Sequence, residues 1–376
     1  MYHFNDELQK NNIKKITSKL HFHNPKYVEK FIMDFEINYH ISQKINSILR
    51  GGMCVPFHTQ LGVRRLSIDI DLLTSLQLDE INSMMKGLDD SLPDVHIKLH
   101  KPKRPAPIPN LVTYYIEYTS CFGQSDTVKV DYLCDVQLQL PTQNITTTQE
   151  IIDFKINYNA KILTRGALIG DKITTLALRK IGLPKPQNGN FSDDLPKQIY
   201  DIATLLKSAT EKDIDESLEV FMTLTAFKVQ IYDNGKYEVQ EILDTILFSI
   251  KSLLSFDSQI TNISEYVGIF GSFKGTYLNT VQSYKKTEHL SDILLVWSYV
   301  IFLKNFFDDS TSKIEIVKKI YNSIERYQKI IDYDVDDKKT LRDSLMNNMP
   351  TLPFNQNILH QTPVEQIFLV KEIFSN

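Results

Sequence analysis

The stretch LRGGMCVPFHTQLGVRRLSIDIDLL, residues 49–73, decides the fold. Gly51 and Gly52 stand at the end of an amphipathic helical pattern. Two residues without a Cβ let the backbone turn sharply there and bring its N–H groups up to an anion. Asp69 and Asp71 follow in the alternating segment Leu66-Ser67-Ile68-Asp69-Ile70-Asp71-Leu72, and a strand points residues i and i+2 to the same face. Two acids side by side repel each other; at phosphoryl-transfer sites, magnesium held between carboxylates and substrate phosphates relieves that repulsion. An isolated D-x-D reads more simply as the solvent face of an edge strand whose Leu66, Ile68, Ile70 and Leu72 face the core. Other residues have to decide.

Upstream, Phe31, Phe35, Ile37, Ile41, Ile45, Ile48 and Leu49 recur at helical spacing, so a long helix is expected to run into the glycines. His21, His23 and His40 read as surface or capping residues, with no metal-binding pairing evident. Downstream, Thr74-Ser75 offers an N-cap to a helix carrying Leu76, Leu78, Ile81, Met84, Met85 and Leu88 and ending around Gly87. Three alternating segments then predict a sheet: Val95, Ile97 and Leu99; Val112, Tyr114, Ile116 and Tyr118; Val128, Val130 and Tyr132. Asp131 shares a strand face with Thr127 and Lys129, and if that strand lies beside the Asp69/Asp71 strand, three acids meet at one spot. Asp135 has the same parity but sits past Leu133, toward the strand end, and ranks below it. Residues 101–107, KPKRPAP, cannot form regular structure because three prolines lack N–H donors. Their cations are either solvated or set to grip the phosphates of an RNA.

From 166 to 183 the pattern is helical, with Asp171 in an early turn and Lys172 beside it. Taken alone, Lys172 is a solvated helix lysine. Residues 184–196, PKPQNGNFSDDLP, form a long loop before a helix carrying Lys197, Tyr200 and Asp201. Segments near 214–231, 237–256, 289–307, 312–332 and 362–375 each show helical spacing and predict an all-helical C-terminal domain. The intervening EYVGIFGSFKGTYL, residues 265–278, reads as a structured loop or helix junction; its glycines do not make a nucleotide-binding fingerprint.

With 376 residues, 42% of them apolar, the chain is long enough for two domains with real cores. A net charge of −4 excludes a generally basic nucleic-acid coat, so any RNA contact must be local. Cys54, Cys121 and Cys134 lack CxxC spacing and suit a reducing cytosol, as buried apolar fillers. The N-terminal residues carry no apolar signal region, and residues 293–303, ILLVWSYVIFL, fall short of the ~20 needed to cross a bilayer. A buried helix, no membrane partner and a cytoplasmic location are expected.

Written out, Gly51-Gly52-Met53-Cys54-Val55 and Arg65-x-Ser67-x-Asp69-x-Asp71 resemble the GG(T/S)AL and R-x-S-x-D-I-D signature of the AbiEii and MenT group of nucleotidyltransferase toxins, which belong to type IV toxin–antitoxin and abortive-infection systems. Lys129-Val130-Asp131 resembles the family's strand with a third acid. Asp171-Lys172 with Leu176-Ala177-Leu178-Arg179 resembles its K-x-x-A-L-x-x-R helix, and Lys197-Gln198-Ile199-Tyr200-Asp201 its (R/K)-D-x-Y-D element. These blocks cover about the first 205 residues in order. Met53, Cys54 and Val55 depart from the family pattern, as does Gln198, which stands where an acid is usual.

The resemblance implies an α+β fold: a polymerase-beta-like nucleotidyltransferase domain with a mixed sheet over residues 1–165, then an all-helical domain over 166–376 that contributes Lys172 and Asp201 to the cleft. It implies an NTP-dependent nucleotidyltransferase using Mg2+, with an acceptor such as the 3′ end of tRNA, and a cognate antitoxin protein. Asp69, Asp71 and Asp131 would hold the metal, and Gly51, Gly52, Arg65 and Ser67 the nucleotide. Lys172 would neutralise the leaving group, and Asp201 would orient Lys172 or activate the acceptor. Two alternatives remain open at this point: a protein or small-molecule acceptor, and a non-catalytic protein of the same fold that binds RNA or an antitoxin.

Overall fold

The computed structural model describes residues 9–59, 64–92, 94–100, 110–147, 157–178, 180–183, 194–233, 235–255, 263–279, 284–308, 312–349 and 364–374. The chain divides into two compact units, Met1–Leu168 with Lys274–Ser283, and Ile169–Phe273 with Tyr284–Asn376.

The first unit is built on a sheet that, among the described residues, has seven strands: β1 Ile48–Arg50, β2 Asp69–Leu73, β3 Val95–Leu99, β4 Leu111–Thr119, β5 Ser125–Leu133, β6 Thr142–Thr147 and β7 Asn157–Leu163, in the order β3-β4-β5-β2-β1-β7-β6. It is a mixed sheet. β2 runs parallel to β5 and β1 parallel to β7, while the other neighbours are antiparallel. The alternation expected of β4 and β5 is present: Val112, Tyr114, Ile116, Tyr118, Val128, Val130 and Tyr132 are buried, and Thr127, Lys129 and Asp131 line the more open face. On β3 only Val95 is buried, because this strand is the edge of the sheet and leaves Leu99 exposed.

This unit also contains helices α1 Lys10–Lys19, α2 Pro25–Lys44 and α3 Leu78–Asp89. Pro25 at the first turn of α2, with Asn24 Oδ1 accepting from Lys26 N, fixes where that helix begins. It does not run into the glycines. α2 ends at Lys44, and Ile48–Arg50 becomes a strand because β1 finds partners on both sides, in β2 and β7. The α3 N-cap is Gln77 rather than Thr74-Ser75, since Glu80 reaches back to the Gln77 N–H in a capping box; Thr74 instead donates its hydroxyl to Asn46 O.

Helix α4, Arg165–Thr175, crosses from one unit to the other, and the second unit is helical: α5 Asp194–Leu206, α6 Glu211–Asp233, α7 Val239–Ser255, α8 Ile263–Tyr277, α9 Lys286–Asp308, α10 Lys313–Ile331, α11 Val335–Asn347 and α12 Val364–Phe374, with the end of α8 counted in the first unit. α8 corrects the expectation of a loop at the Gly-rich stretch. Its Ile269, Phe270 and Phe273 are buried at helical spacing, which outweighs the poor helix propensity of Gly268, Gly271 and Gly275. α11 went unread in the sequence because it buries little beyond Leu345; its signal is the cap, Asp334 accepting from Asp337 N. Pro196, expected in a loop, sits in the first turn of α5, where its missing N–H costs nothing.

The apolar run at 293–303 lies inside α9, with Ile293, Leu294, Val296, Val300 and Leu303 fully buried. By length and composition Glu288–Phe307 is long enough to cross a membrane, but 72% of its apolar window is buried inside the protein, as in the core helix of a globular unit.

Candidate active site

β1 delivers Arg50 opposite Asp71 of β2 in antiparallel register. The chain then bends at Gly51, whose φ of +73° few residues with a Cβ adopt, into a 3₁₀ segment Gly51–His58. Both glycines are needed for closeness as well. A Cβ on Gly51 would lie 2.0 Å from Asp71 Oδ2, and one on Gly52 would lie 2.4 Å from Arg65 Nη2 and 2.6 Å from Ser67 Oγ. Gly-Gly, Arg65, Ser67 and Asp71 are therefore packed against one another. The departures Met53 and Cys54 are core residues: both are fully buried, with Cys54 Sγ donating to Leu49 O. His58 fastens the end of the segment to β7 through Leu163 O.

Arg65 and Ser67 precede β2, which begins only at Asp69. They are held by a different part of the chain. Arg65 bridges Leu278, Leu66 N donates to Tyr277 O, and Asn279 N donates to Arg64 O. Both Arg65 and Ser67 are buried, and Arg65 Nη1 donates to Leu66 O.

Parallel pairing of β2 with β5 sets Asp69 beside Lys129 and Asp71 beside Asp131. Asp131 accepts from Thr113 Oγ1 and Lys129 Nζ, both at 2.6 Å. Burial pushes the Asp71 carboxyl up to about 6; Arg50 opposes the shift, while Asp131 and Asp69 add to it. Asp135 has φ +56° just past the end of β5, away from this row. Among the described residues, no three His, Cys, Asp or Glu side chains are gathered as a ready metal cluster. The donor set nevertheless fits a hard divalent cation, since strand register brings the carboxylates of Asp69, Asp71 and Asp131 together on neighbouring positions of β2 and β5, and carboxylate oxygens are the ligands such a cation takes.

Four residues of this neighbourhood escaped sequence reasoning as site members. Arg50, Thr113 and Lys129 come from strand register, although the Thr127-Lys129-Asp131 parity pointed at Lys129. Asp34, on α2, is wholly buried with no hydrogen-bond partner at either oxygen, and burial followed by the Asp69 charge raises its pKa well above the ordinary range. No sequence pattern marks it, because α2 buries other polar residues as well, Glu29, Glu36 and Asn38.

In the second unit, Lys172 of α4 is not a solvated lysine. It is 2% exposed and donates to Asp201 Oδ2 at 2.7 Å and to Gln198 Oε1 at 3.1 Å. Gln198, the departure from the family pattern, thus supplies a neutral acceptor beside the acid. Asp171 lies in the seventh position of α4 rather than an early turn, and pairs with buried Lys228 at 3.1 Å. His40, expected without an acid partner, bonds Glu36 one turn away at 3.0 Å. None of the three cysteines is in a disulfide; Cys54 and Cys134 are buried and Cys121 is half-buried. The basic segment 101–107 and residues 184–193 of the loop fall outside the described residues, as does Arg179.

A sequence model of the family described as "Nucleotidyl transferase AbiEii toxin, Type IV TA system" matches residues 39–260, well over half of the chain. The chain belongs to the AbiEii family. The match begins within α2 and runs through the glycine bend, β2, β5 and α4 to beyond α7, so it reaches past the motif blocks into the helical unit. As a member of that family the chain is a nucleotidyltransferase. No curated protein matches it. Among solved structures, MenT4, a nucleotidyltransferase toxin from Mycobacterium tuberculosis H37Rv, aligns with 85% of this chain and 99% of its own, at 10% identity and a TM-score of 0.48.

Proposed function

We propose that this AbiEii-family nucleotidyltransferase transfers a nucleotide from an NTP to a hydroxyl of RNA, the 3′ end of tRNA, by in-line displacement of pyrophosphate. The observation that carries the reading is the row of acids on one face of β2 and β5, with Asp71 packed against the Gly51 bend and Gly52 packed against Arg65 and Ser67. Asp69, Asp71 and Asp131 would hold magnesium, which supplies Lewis-acid charge to the triphosphate when bound. The chain's own groups do the positioning. The N–H groups of the bend, the Ser67 hydroxyl and the Arg65 guanidinium orient phosphate oxygens, so that the attacking hydroxyl meets the α-phosphorus opposite the leaving pyrophosphate. Lys172 and Asp201 enter through the family motifs: Lys172 as counter-charge to pyrophosphate, and Asp201 as the group that orients it or takes the acceptor proton. Mg2+, a cytoplasmic setting and a cognate antitoxin belong to the same proposal.

The test is transfer from each α-labelled NTP, with magnesium, into total bacterial RNA, comparing the native chain with Asp69→Ala/Asp71→Ala. Label in tRNA-sized RNA that depends on those acids is the expected result. Label on protein or a small molecule would replace the acceptor, and label nowhere would overturn the proposal.

A further inference from the structure

Lys129 stands among the three acids and has no part in the reaction as described. It lies directly beside Asp69 across the β2–β5 pair and two residues before Asp131 on its own strand. Its face is that of Asp131, since both alternate with buried Val128 and Val130. The four side chains form a two-by-two lattice on one face of the sheet, Asp69 beside Lys129 in one row and Asp71 beside Asp131 in the next. Three corners are acids and the fourth is an ammonium.

The lysine is engaged. Its Nζ donates to Asp131 Oδ2 at 2.6 Å, while Thr113, across the β4–β5 pair, donates to Oδ1 at 2.6 Å. Each oxygen of the Asp131 carboxylate therefore already has a donor. An ordinary surface ion pair gains little from holding two half-exposed side chains together; this one has two further acids beside it, Asp69 and Asp71.

We propose that Lys129 is a built-in counter-ion of the nucleotidyltransferase site, holding Asp131 in the metal-free protein and competing with a divalent cation for it. The inference rests on the reading of Asp69, Asp71 and Asp131 as metal holders. A carboxylate oxygen has two lone pairs, so Thr113 can keep its hydrogen bond while a cation takes the position of the ammonium. Lysine suits this role because its charge rides on a flexible four-carbon stem that can swing aside at small cost. The consequence is a site that binds the free cation weakly and fills only when a triphosphate brings further anionic oxygens, so metal and nucleotide arrive together.

The experiment is Mn2+ binding to the full chain without nucleotide, followed by the resonance of free Mn2+, together with thermal unfolding in chelator and in Mn2+. Lys129→Met is expected to bind Mn2+ about tenfold tighter than the native chain. It is expected to melt lower in chelator and to regain the loss in Mn2+, whereas Lys129→Arg, which keeps the charge, follows the native chain. A purely structural ion pair would lower the melting temperature without rescue by Mn2+. Equal or weaker Mn2+ binding by Lys129→Met overturns the inference while leaving the metal site intact, provided Asp69→Ala/Asp71→Ala abolishes binding. If neither the native chain nor Lys129→Met binds Mn2+, the metal-site reading falls, and this inference with it.

Discussion

At Gly51 a single hydrogen in place of a side chain decides whether Asp71 fits. An alanine there meets two costs, a left-handed φ of +73° and a Cβ 2.0 Å from Asp71 Oδ2. Gly51→Ala should destabilise the first unit by about 1–2 kcal/mol and reduce nucleotide transfer at least tenfold, as measured by thermal unfolding and label transfer. Gly52→Ala separates the two effects. Its Cβ would strike the ends of Arg65 and Ser67, which can shift, so stability should fall by less than about 1 kcal/mol while transfer still drops because the phosphate ligands are displaced. Full activity in Gly52→Ala would remove Arg65 and Ser67 from the proposed site. The residue types at this spot were legible in the sequence, since Gly-Gly and alternating acids each have a direct conformational meaning. Asp34 and Thr113 were not, because their importance lies in which elements they face.

Between elements, the clearest dependence is that of α4 on α5. Lys172 and Asp201 are both essentially excluded from solvent, 2% and 0% exposed, so removing the acid leaves a buried ammonium whose one remaining partner among the described residues is the Gln198 carbonyl. Asp201→Ala should cost about 3–5 kcal/mol, and the double change Lys172→Met/Asp201→Leu should recover most of it in the same denaturation experiment. Recovery of fold without recovery of transfer would show the pair serving chemistry as well as packing. α8 behaves in the opposite way. Gly268, Gly271 and Gly275 are exposed in mid-helix, and a Cβ on any of them meets nothing within 4 Å. Each alanine substitution should therefore stabilise by about 0.5–1 kcal/mol, read as a rise in the denaturant midpoint. Loss of transfer in a stabilised variant would mean that this bare helix stripe must accept close contact during the reaction.

For the molecule as a whole, pH dependence follows from a buried histidine. His289 is enclosed, stacked on Phe270 and within hydrogen-bond reach of Tyr284, whose own proton goes to Asp292. Burial, with a further push from Lys207, lowers its pKa from 6.5 to about 3. The unfolded chain therefore binds a proton that the folded chain refuses between those values. The stability due to the neutral ring is complete above pH 6.5 and is lost as pH falls, by about 1.4 kcal/mol per unit. His289→Phe should flatten the native slope of stability against pH between about 6.5 and 5. Asp34 and Asp71, whose pKa values are raised, act in the opposite sense, so the difference between native and variant curves is the quantity to measure. Identical slopes would mean that the ring is protonated in the folded chain.

The sequence by itself determined the family, the strands β4 and β5, most of the helices of the second unit and the residues of the glycine bend and D-x-D. These follow from local rules: alternation, helical spacing, and glycine where no Cβ fits. The tertiary structure decided what local rules do not contain. It turned Ile48–Arg50 from the end of a helix into a strand with partners on both sides. It set Asp131 beside Asp71 and Lys129 beside Asp69. It buried Lys172 against Asp201 and made a helix of a glycine-rich stretch. In each case the deciding energy comes from groups far apart in the chain, through strand register, desolvation and packing, and the backbone's local preference is the smaller term.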